Sequence, residues 1–203
     1  MLKYIAVAGN MGAGKTSLVE FLQRHFDLIP FYEPNDENPY LADFYRDMAR
    51  WSFHSQTYFL SKKARLHQRL QRSRGTAIQD RTIYEDAEIF ARNLYQQGLM
   101  DPRDFATYWE LYEAVRASLR PPDVLIYLKS NLRTVRRRIA GRGRDIEQAI
   151  PVEYLKRLQR LYDRWIKRYA LSPLIELRTD KMDYVSDLVD QIDLLKQIER
   201  HVR

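Results

Sequence analysis

The sequence predicts an α/β fold, a parallel sheet of about five strands flanked by helices. Three observations predict it. Short apolar, β-branched runs alternate with longer stretches of helical period, 203 residues suffice for one such domain, and chemistry-bearing motifs fall just after the apolar runs. The expected strands are Tyr4–Ala8, Leu28–Tyr32, Thr76–Gln79, Val124–Leu128 and Leu174–Leu177. Three helical stripes lie between and after them. Phe105, Tyr108, Tyr112, Val115 and Leu119 form the first, opened by Asp101-Pro102 with Asp104 in the first turn. Leu155, Leu158, Tyr162, Trp165 and Tyr169 form the second, and Val185, Leu188, Ile192 and Leu195 the third. The aromatic stripes read as core or as a dimer face. With no repeat, low-complexity tract or long linker, residues 1–203 read as a single domain.

Composition narrows the class. Hydrophobic residues make up 45% and charged residues 30%, a globular balance that excludes extended disorder. The absence of cysteine excludes disulfides, thiolate metal sites and cysteine nucleophiles, and it suits a reducing cytoplasm. The apolar start Met1–Ala8 is too short for a signal-peptide core, and no later run approaches membrane-spanning length, so a cytoplasmic protein without a membrane partner is expected. The net charge of +7 is concentrated in Arg133, Arg136, Arg137, Arg138, Arg142 and Arg144. Such a local cluster fits a polyphosphate as well as a long polyanion.

Gly9-Asn10-Met11-Gly12-Ala13-Gly14-Lys15-Thr16 matches G-x-x-x-x-G-K-[ST] in full, with a strand before it and an amphipathic helix after it. Glycines let successive backbone N–H groups turn inward around phosphate oxygens at the positive end of the following helix. Lys15 is expected to reach the β- and γ-phosphates of ATP, and the Thr16 hydroxyl to ligate Mg²⁺, with Ser17 beside them. Glu33, after the second strand, offers a carboxylate to take a hydroxyl proton; taken alone it reads more readily as a solvated loop acid. Asp80-Arg81, after the third, pairs a metal-side carboxylate with a guanidinium able to neutralise the transferred group. The arginine run reads as a solvated helix face or as a lid over about residues 137–147, with Gly141 and Gly143 marking a mobile turn.

Together these motifs resemble the deoxyribonucleoside kinase family from Lys3 to about Tyr184. The resemblance is carried by Gly9–Thr16, Glu33-Pro34, Trp51–Tyr58 (WSFHSQTY), Asp80–Asp86 (DRTIYED), and Arg138–Glu147 followed by Ile150-Pro151. It implies a P-loop kinase fold with an arginine-rich lid, and a salvage enzyme that phosphorylates a deoxyribonucleoside at its 5′-hydroxyl with MgATP. Glu33 would be the base, Arg81 would hold the transferring phosphoryl, and Asp80 would be its acidic partner on the Mg²⁺ side. Gln56 would pair with the nucleobase edge, Phe90 would stack on the base, and Met11 would line the pocket. Lys63 with Asp86 would form a polar pair near the base, and Tyr45 with Glu147 would hold the 3′-hydroxyl. Arg138, Arg142 and Arg144 would be the lid arginines, and Asp183-Tyr184 would meet the adenine of ATP. Lys63 stands where many members carry arginine, Asp80 where many carry glutamate, Thr82 where serine is common, and Asn38 where animal members carry a tryptophan. A purine deoxynucleoside, deoxyadenosine first, and a homodimer are the expectations that follow.

Two rival readings share the loop. In a nucleoside monophosphate kinase, such as a thymidylate kinase, a phosphate dianion would approach Glu33; two like charges about 4 Å apart cost roughly 4 kcal/mol at an effective dielectric of 20. A neutral hydroxyl acceptor avoids that cost. A nucleotide-dependent switch protein on nucleic acid would need basic residues spread over a surface, not clustered where a lid belongs.

Overall fold

The computed structural model describes residues 3–32, 38–143, 150–184 and 187–202, the last including side chains up to 199. Five parallel strands form one sheet in the order β2-β3-β1-β4-β5: β1 Tyr4–Gly9, β2 Leu28–Phe31, β3 Thr76–Asp80, β4 Val124–Lys129 and β5 Leu174–Arg178. The expected strands and the α/β class are those observed, with ends shifted by one residue.

β1 and β4 are apolar along almost their whole length because helices cover both faces of the sheet there. Side chains alternate between the faces, so Tyr4, Ala6, Ala8, Leu125 and Tyr127 join one core cluster. Ile5, Val7, Val124, Ile126 and Leu128 join the other. The second cluster is covered by α1 (Lys15–Gln23) and α9 (Leu188–Val202). The first is covered by α3 (Met48–Arg72), α6 (Pro102–Ala117) and α8 (Val152–Arg168), with α2 (Leu41–Arg46) at its margin. A turn α4 (Ile83–Glu85), a π-helical segment Asp86–Ala91 and α5 (Arg92–Gln96) follow β3 as one continuous rod. β5 is an edge strand and shows it: alternate residues are exposed, and Lys129 pairs with Glu176 at 3.1 Å across the margin.

Helix starts follow local chemistry. Asp101 caps α6, its carboxylate accepting from the Arg103 N–H at 2.8 Å, with Pro102 in the first turn. Tyr108, Tyr112, Leu158, Tyr162 and Trp165 are all buried within this one chain, so both aromatic stripes are core. From Arg133 to Arg142 the arginine run is helix α7 (Leu132–Arg142), with Gly141 inside it, where a turn was expected, and Gly143 closing it at φ 68°; the expected lid from residue 144 on lies outside the described residues. Val135 and Ile139, buried against Leu155, hold this helix in place despite its glycine, which costs only about 1 kcal/mol. Among the described residues no helix is long and apolar enough to cross a membrane.

One buried group makes stability depend on pH. His67 of α3 is fully buried against Tyr4, ring centroids 5.1 Å apart, and donates from Nε2 to the Arg120 carbonyl at 2.9 Å. Its Nδ1 has no partner among the described residues, so protonation would bury an unpaired N–H. Burial lowers its pKa from 6.5 to about 4, partly opposed by the bond to Arg120. The folded pKa lies below the unfolded one, so this contribution to stability is full above pH 6.5 and falls as pH drops toward 4. Between pH 7 and pH 5 it should account for a loss of about 2 kcal/mol. Denaturant melts of the wild type and of His67→Gln, which keeps a donor for Arg120, check this. Equal pH slopes in the two proteins would assign the loss to other groups.

Candidate active site

The carboxyl ends of the central strands meet at one edge of the sheet, with Val7 in register with Asp80 and Gly9 with Leu128. Open parallel sheets bind ligands there. The loop from Gly9 to Gly14 turns back on itself at this edge. A Cβ on Gly9 would come within 2.8 Å of the Leu128 carbonyl oxygen, and one on Gly12 within 2.9 Å of the Val135 carbonyl. Gly9, Gly12 and Gly14 have φ of 155°, 69° and 100°, a backbone path only glycine follows without strain. No side chain caps α1, so its first-turn N–H groups open toward the loop, which makes a ready anion site.

Lys15 begins α1, nearly buried, with Nζ donating to the carbonyls of Gly9 at 2.9 Å and Asn10 at 3.1 Å. The Thr16 hydroxyl donates to Asp80 Oδ2 at 2.7 Å, while Asp80 Oδ1 is buried without a protein partner among the described residues. Asn10 acts as a stitch: its Nδ2 donates to the Leu155 carbonyl at 3.2 Å and its Oδ1 accepts from the Met11 N–H at 2.8 Å. The loop is thereby tied to α8. Met11 packs between two core clusters.

Gly12, Gly14, Ser17, Arg138, Met182, Asp183 and Tyr184 line a cavity of about 230 Å³ beside the loop. Among the described side chains of α7, Arg138 is the arginine that reaches it. Its guanidinium donates to the Ala13 carbonyl at 2.9 Å and to the Thr179 hydroxyl and carbonyl at 3.1 and 2.8 Å. Thr179 in turn hydrogen-bonds Ser130 at the end of β4. Arg133, Arg136 and Arg137 face a separate groove with Lys156, so among the described arginines of the cluster Arg138 stands apart from an exposed face. Tyr184 is buried, its hydroxyl donating to the Gly14 carbonyl at 3.0 Å; burial pushes its pKa up to about 12, opposed by Arg138. The Asp183 N–H donates to Asp190 at 2.6 Å.

The residues expected on the nucleoside side lie between α3 and the rod after β3. Gln56 and Lys63, two turns apart on the buried face of α3, are separated by about 10 Å of helix rise. Lys63 is fully buried, and its Nζ meets Asp86 Oδ1 at 2.6 Å. The π-helical segment starts at Asp86 and carries Phe90, whose ring bears the Arg81 guanidinium 4.7 Å from its centroid. One face of Phe90 is therefore taken by Arg81. Arg81 itself has φ 61°, a strained left-handed backbone for a bulky residue, and its N–H donates to the Val7 carbonyl at 3.0 Å. Tyr45 of α2 is half-buried against Phe44, ring centroids 5.3 Å apart. Glu33, Arg144 and Glu147, and the side chain of Arg142, lie outside the described residues.

Sequence reasoning singled out the two halves but missed what joins them. Glu85 is fully buried, and its carboxylate accepts from the Thr82 N–H at 2.9 Å, the Gly9 N–H at 3.2 Å and the Tyr162 hydroxyl at 2.8 Å. The available signal was Thr82-x-x-Glu85, a helix-start pattern. Thr179 and Ser130 carried no local signal.

The site so built has a phosphate cradle, a hydroxyl–carboxylate pair for a hard cation and a polar-lined pocket, the parts of a phosphoryl-transfer centre. The sequence profile of the deoxynucleoside kinase family matches residues 5–203. The chain is 38% identical to a deoxyadenosine/deoxycytidine kinase of Bacillus subtilis, over 93% of this chain and 90% of that one. It is 36% identical to a deoxyadenosine kinase of Lactobacillus acidophilus over 100% of this chain and 98% of the relative. Among solved structures, a deoxyadenosine kinase from M. mycoides with bound dATP superposes with a TM-score of 0.84 at 29% identity, covering 97% of this chain and 99% of that one. Agreement along the whole chain carries the hydroxyl acceptor over the two rival readings. The chain belongs to the deoxynucleoside kinase family and is an ATP-dependent phosphotransferase that acts on the 5′-hydroxyl of a deoxynucleoside.

Proposed function

We propose that the acceptor is a purine deoxynucleoside, deoxyadenosine first, and that Glu33 takes the proton from its 5′-hydroxyl. The observation that carries the choice of base is the buried pair of Lys63 and Asp86 on the same side of the sheet edge as Gln56. The amide of Gln56 offers a donor and an acceptor side by side, which suits a nucleobase edge. A carboxylate at Asp86 welcomes the exocyclic amino group of adenine, whereas thymine would set a carbonyl oxygen against it. A site with buried polar groups rejects the ligand that leaves them unpaired. Cytosine shares the amino group and is the natural second substrate. The Bacillus subtilis relative, named for deoxyadenosine and deoxycytidine, supports this order.

On the donor side, the loop's N–H groups and Lys15 hold the phosphates of ATP, and Arg81 balances charge on the transferring group. Mg²⁺ fits Thr16 and Asp80, because a hard cation takes oxygen ligands and Asp80 Oδ1 is a buried oxygen with no protein partner among the described residues. When bound, the ion neutralises charge on the phosphates. The cavity beside Arg138, Asp183 and Tyr184 takes the adenine of ATP, and Arg142 and Arg144 close over its phosphates. Tyr45 and Glu147 hold the sugar 3′-hydroxyl. The proposal includes a homodimer on α6, where Leu111 is 42% exposed and Tyr95 of α5, stacked on Phe105, is 39% exposed; sedimentation at the mass of one chain would remove that part.

A coupled ADP-release assay with MgATP and each of the four deoxynucleosides tests the proposal. Deoxyadenosine should give the highest kcat/KM. Lys63→Met, which strips Asp86 of its charge partner, should lower the ratio of deoxyadenosine to thymidine turnover at least about tenfold, the scale of a hydrogen bond to a charged group. Thymidine turned over tenfold better than either purine deoxynucleoside would overturn the assignment of base.

A further inference from the structure

A local capping role explains only half of what Glu85 contacts. Capping α4 occupies only one of its oxygens: Oε2 accepts from the Thr82 N–H at 2.9 Å, and the Thr82 hydroxyl lies 3.4 Å away. Oε1 is turned to three other elements. It accepts from the Gly9 N–H at 3.2 Å and from the Tyr162 hydroxyl of α8 at 2.8 Å, and Arg81 Nε lies 4.0 Å away. Gly9 is the entry to the phosphate loop, and its carbonyl is the oxygen on which Lys15 Nζ rests at 2.9 Å. One fully buried carboxylate therefore holds the N–H of the residue whose carbonyl seats Lys15 and lies 4.0 Å from the guanidinium of Arg81.

We propose that Glu85 is a positioning residue that fixes the distance between the phosphate loop and Arg81. The proposal rests on the reading in which Lys15 and Arg81 flank the transferring phosphoryl group. Arg81 needs such a tether, because its backbone sits in the left-handed region and its side chain must choose between the ring of Phe90 and the reacting group. Gly9, at φ 155°, has no side chain with which to anchor itself. A displacement of about 1 Å between groups that act on one phosphoryl costs on the order of 10²-fold in rate.

The test is steady-state kinetics of Glu85→Gln with ATP and the best deoxynucleoside, well below its melting temperature. Glutamine keeps the shape but must turn an NH₂ toward N–H or O–H donors on one side. The expected result is a fall in kcat of about 10²-fold with both KM values within about threefold of wild type. A purely structural Glu85 would lower the melting temperature and leave kcat of the folded enzyme unchanged, and that result overturns the proposal. If Glu85→Gln does not fold, Glu85→Asp asks the same question: a lowered kcat at unchanged KM supports positioning, and wild-type kcat overturns it. The double mutant with Arg81→Lys identifies the route. The loss from Glu85→Gln should shrink in the Arg81→Lys background, whereas full additivity would show that the two act independently and would sink the idea. If Arg81→Lys alone leaves kcat at wild type, the phosphoryl role of Arg81 fails, and this proposal falls with it.

Discussion

Lys15→Ala should lower kcat by about 10³-fold or more while leaving the melting temperature within a few degrees of wild type. The two halves of this expectation have separate causes. Lys15 Nζ rests on the carbonyls of Gly9 and Asn10, at the mouth of the glycine loop, where the β- and γ-phosphates of ATP would lie. Removing one preorganised donor from developing charge costs about 10²–10³ in kcat. A full positive charge in a nearly buried setting acts in a lower effective dielectric than water, which puts its loss at or above the top of that range. Stability changes little, because the carbonyls it leaves are loop oxygens that water can reach once the side chain is gone. Single-turnover ADP formation, read beside thermal melts, separates the two effects. Retained transfer would remove Lys15 from the phosphate cradle, and a large fall in melting temperature would recast it as a residue that holds the loop together.

The sheet and the glycine loop were legible because each rests on local sequence. A strand covered on both faces writes itself as a continuous apolar run, and Tyr4–Gly9 and Val124–Lys129 are such runs. The loop is legible because close backbone approach at Gly9 and Gly12 admits no other residue. Helix α7 was harder to read. Glycine in an arginine-rich stretch suggests a turn, but Val135 and Ile139 lock that stretch onto Leu155, and tertiary packing outweighs a weak propensity.

The joins of the site were not legible, since their partners are far apart in the chain. Glu85 meets Gly9 76 residues away and Tyr162 77 residues away. Arg138 reaches Ala13 across 125 residues. A capping pattern at Thr82 accounts for Glu85 locally and so conceals its longer contacts. The left-handed backbone of Arg81 is similarly silent, because arginine, unlike glycine or asparagine, does not announce such a conformation. These are the positions where a sequence obeys the site more than its own local preference.

Glu33→Gln should lower kcat by at least about 10²-fold with little change in either KM, the scale expected when a general base is lost but its shape is kept. β2 ends at Phe31, in register with Gln79, one residue before Asp80. The chain therefore leaves β2, two residues before Glu33 in sequence, beside the strand end that supplies Asp80 and Arg81. The acidic limb of the pH–rate profile distinguishes a base from a mere binding group: it should be present in the wild type and absent in Glu33→Gln. Phosphoryl transfer passes through a loose transition state in which positioning and charge neutralisation dominate, so deprotonation is the smaller share of catalysis. Glu33→Gln should accordingly cost less than Lys15→Ala. A larger loss for Glu33→Gln would mean that the proton, and not the phosphates, sets the rate. An unchanged kcat would pass the proton to another group and leave Glu33 as a solvated acid at the end of a strand.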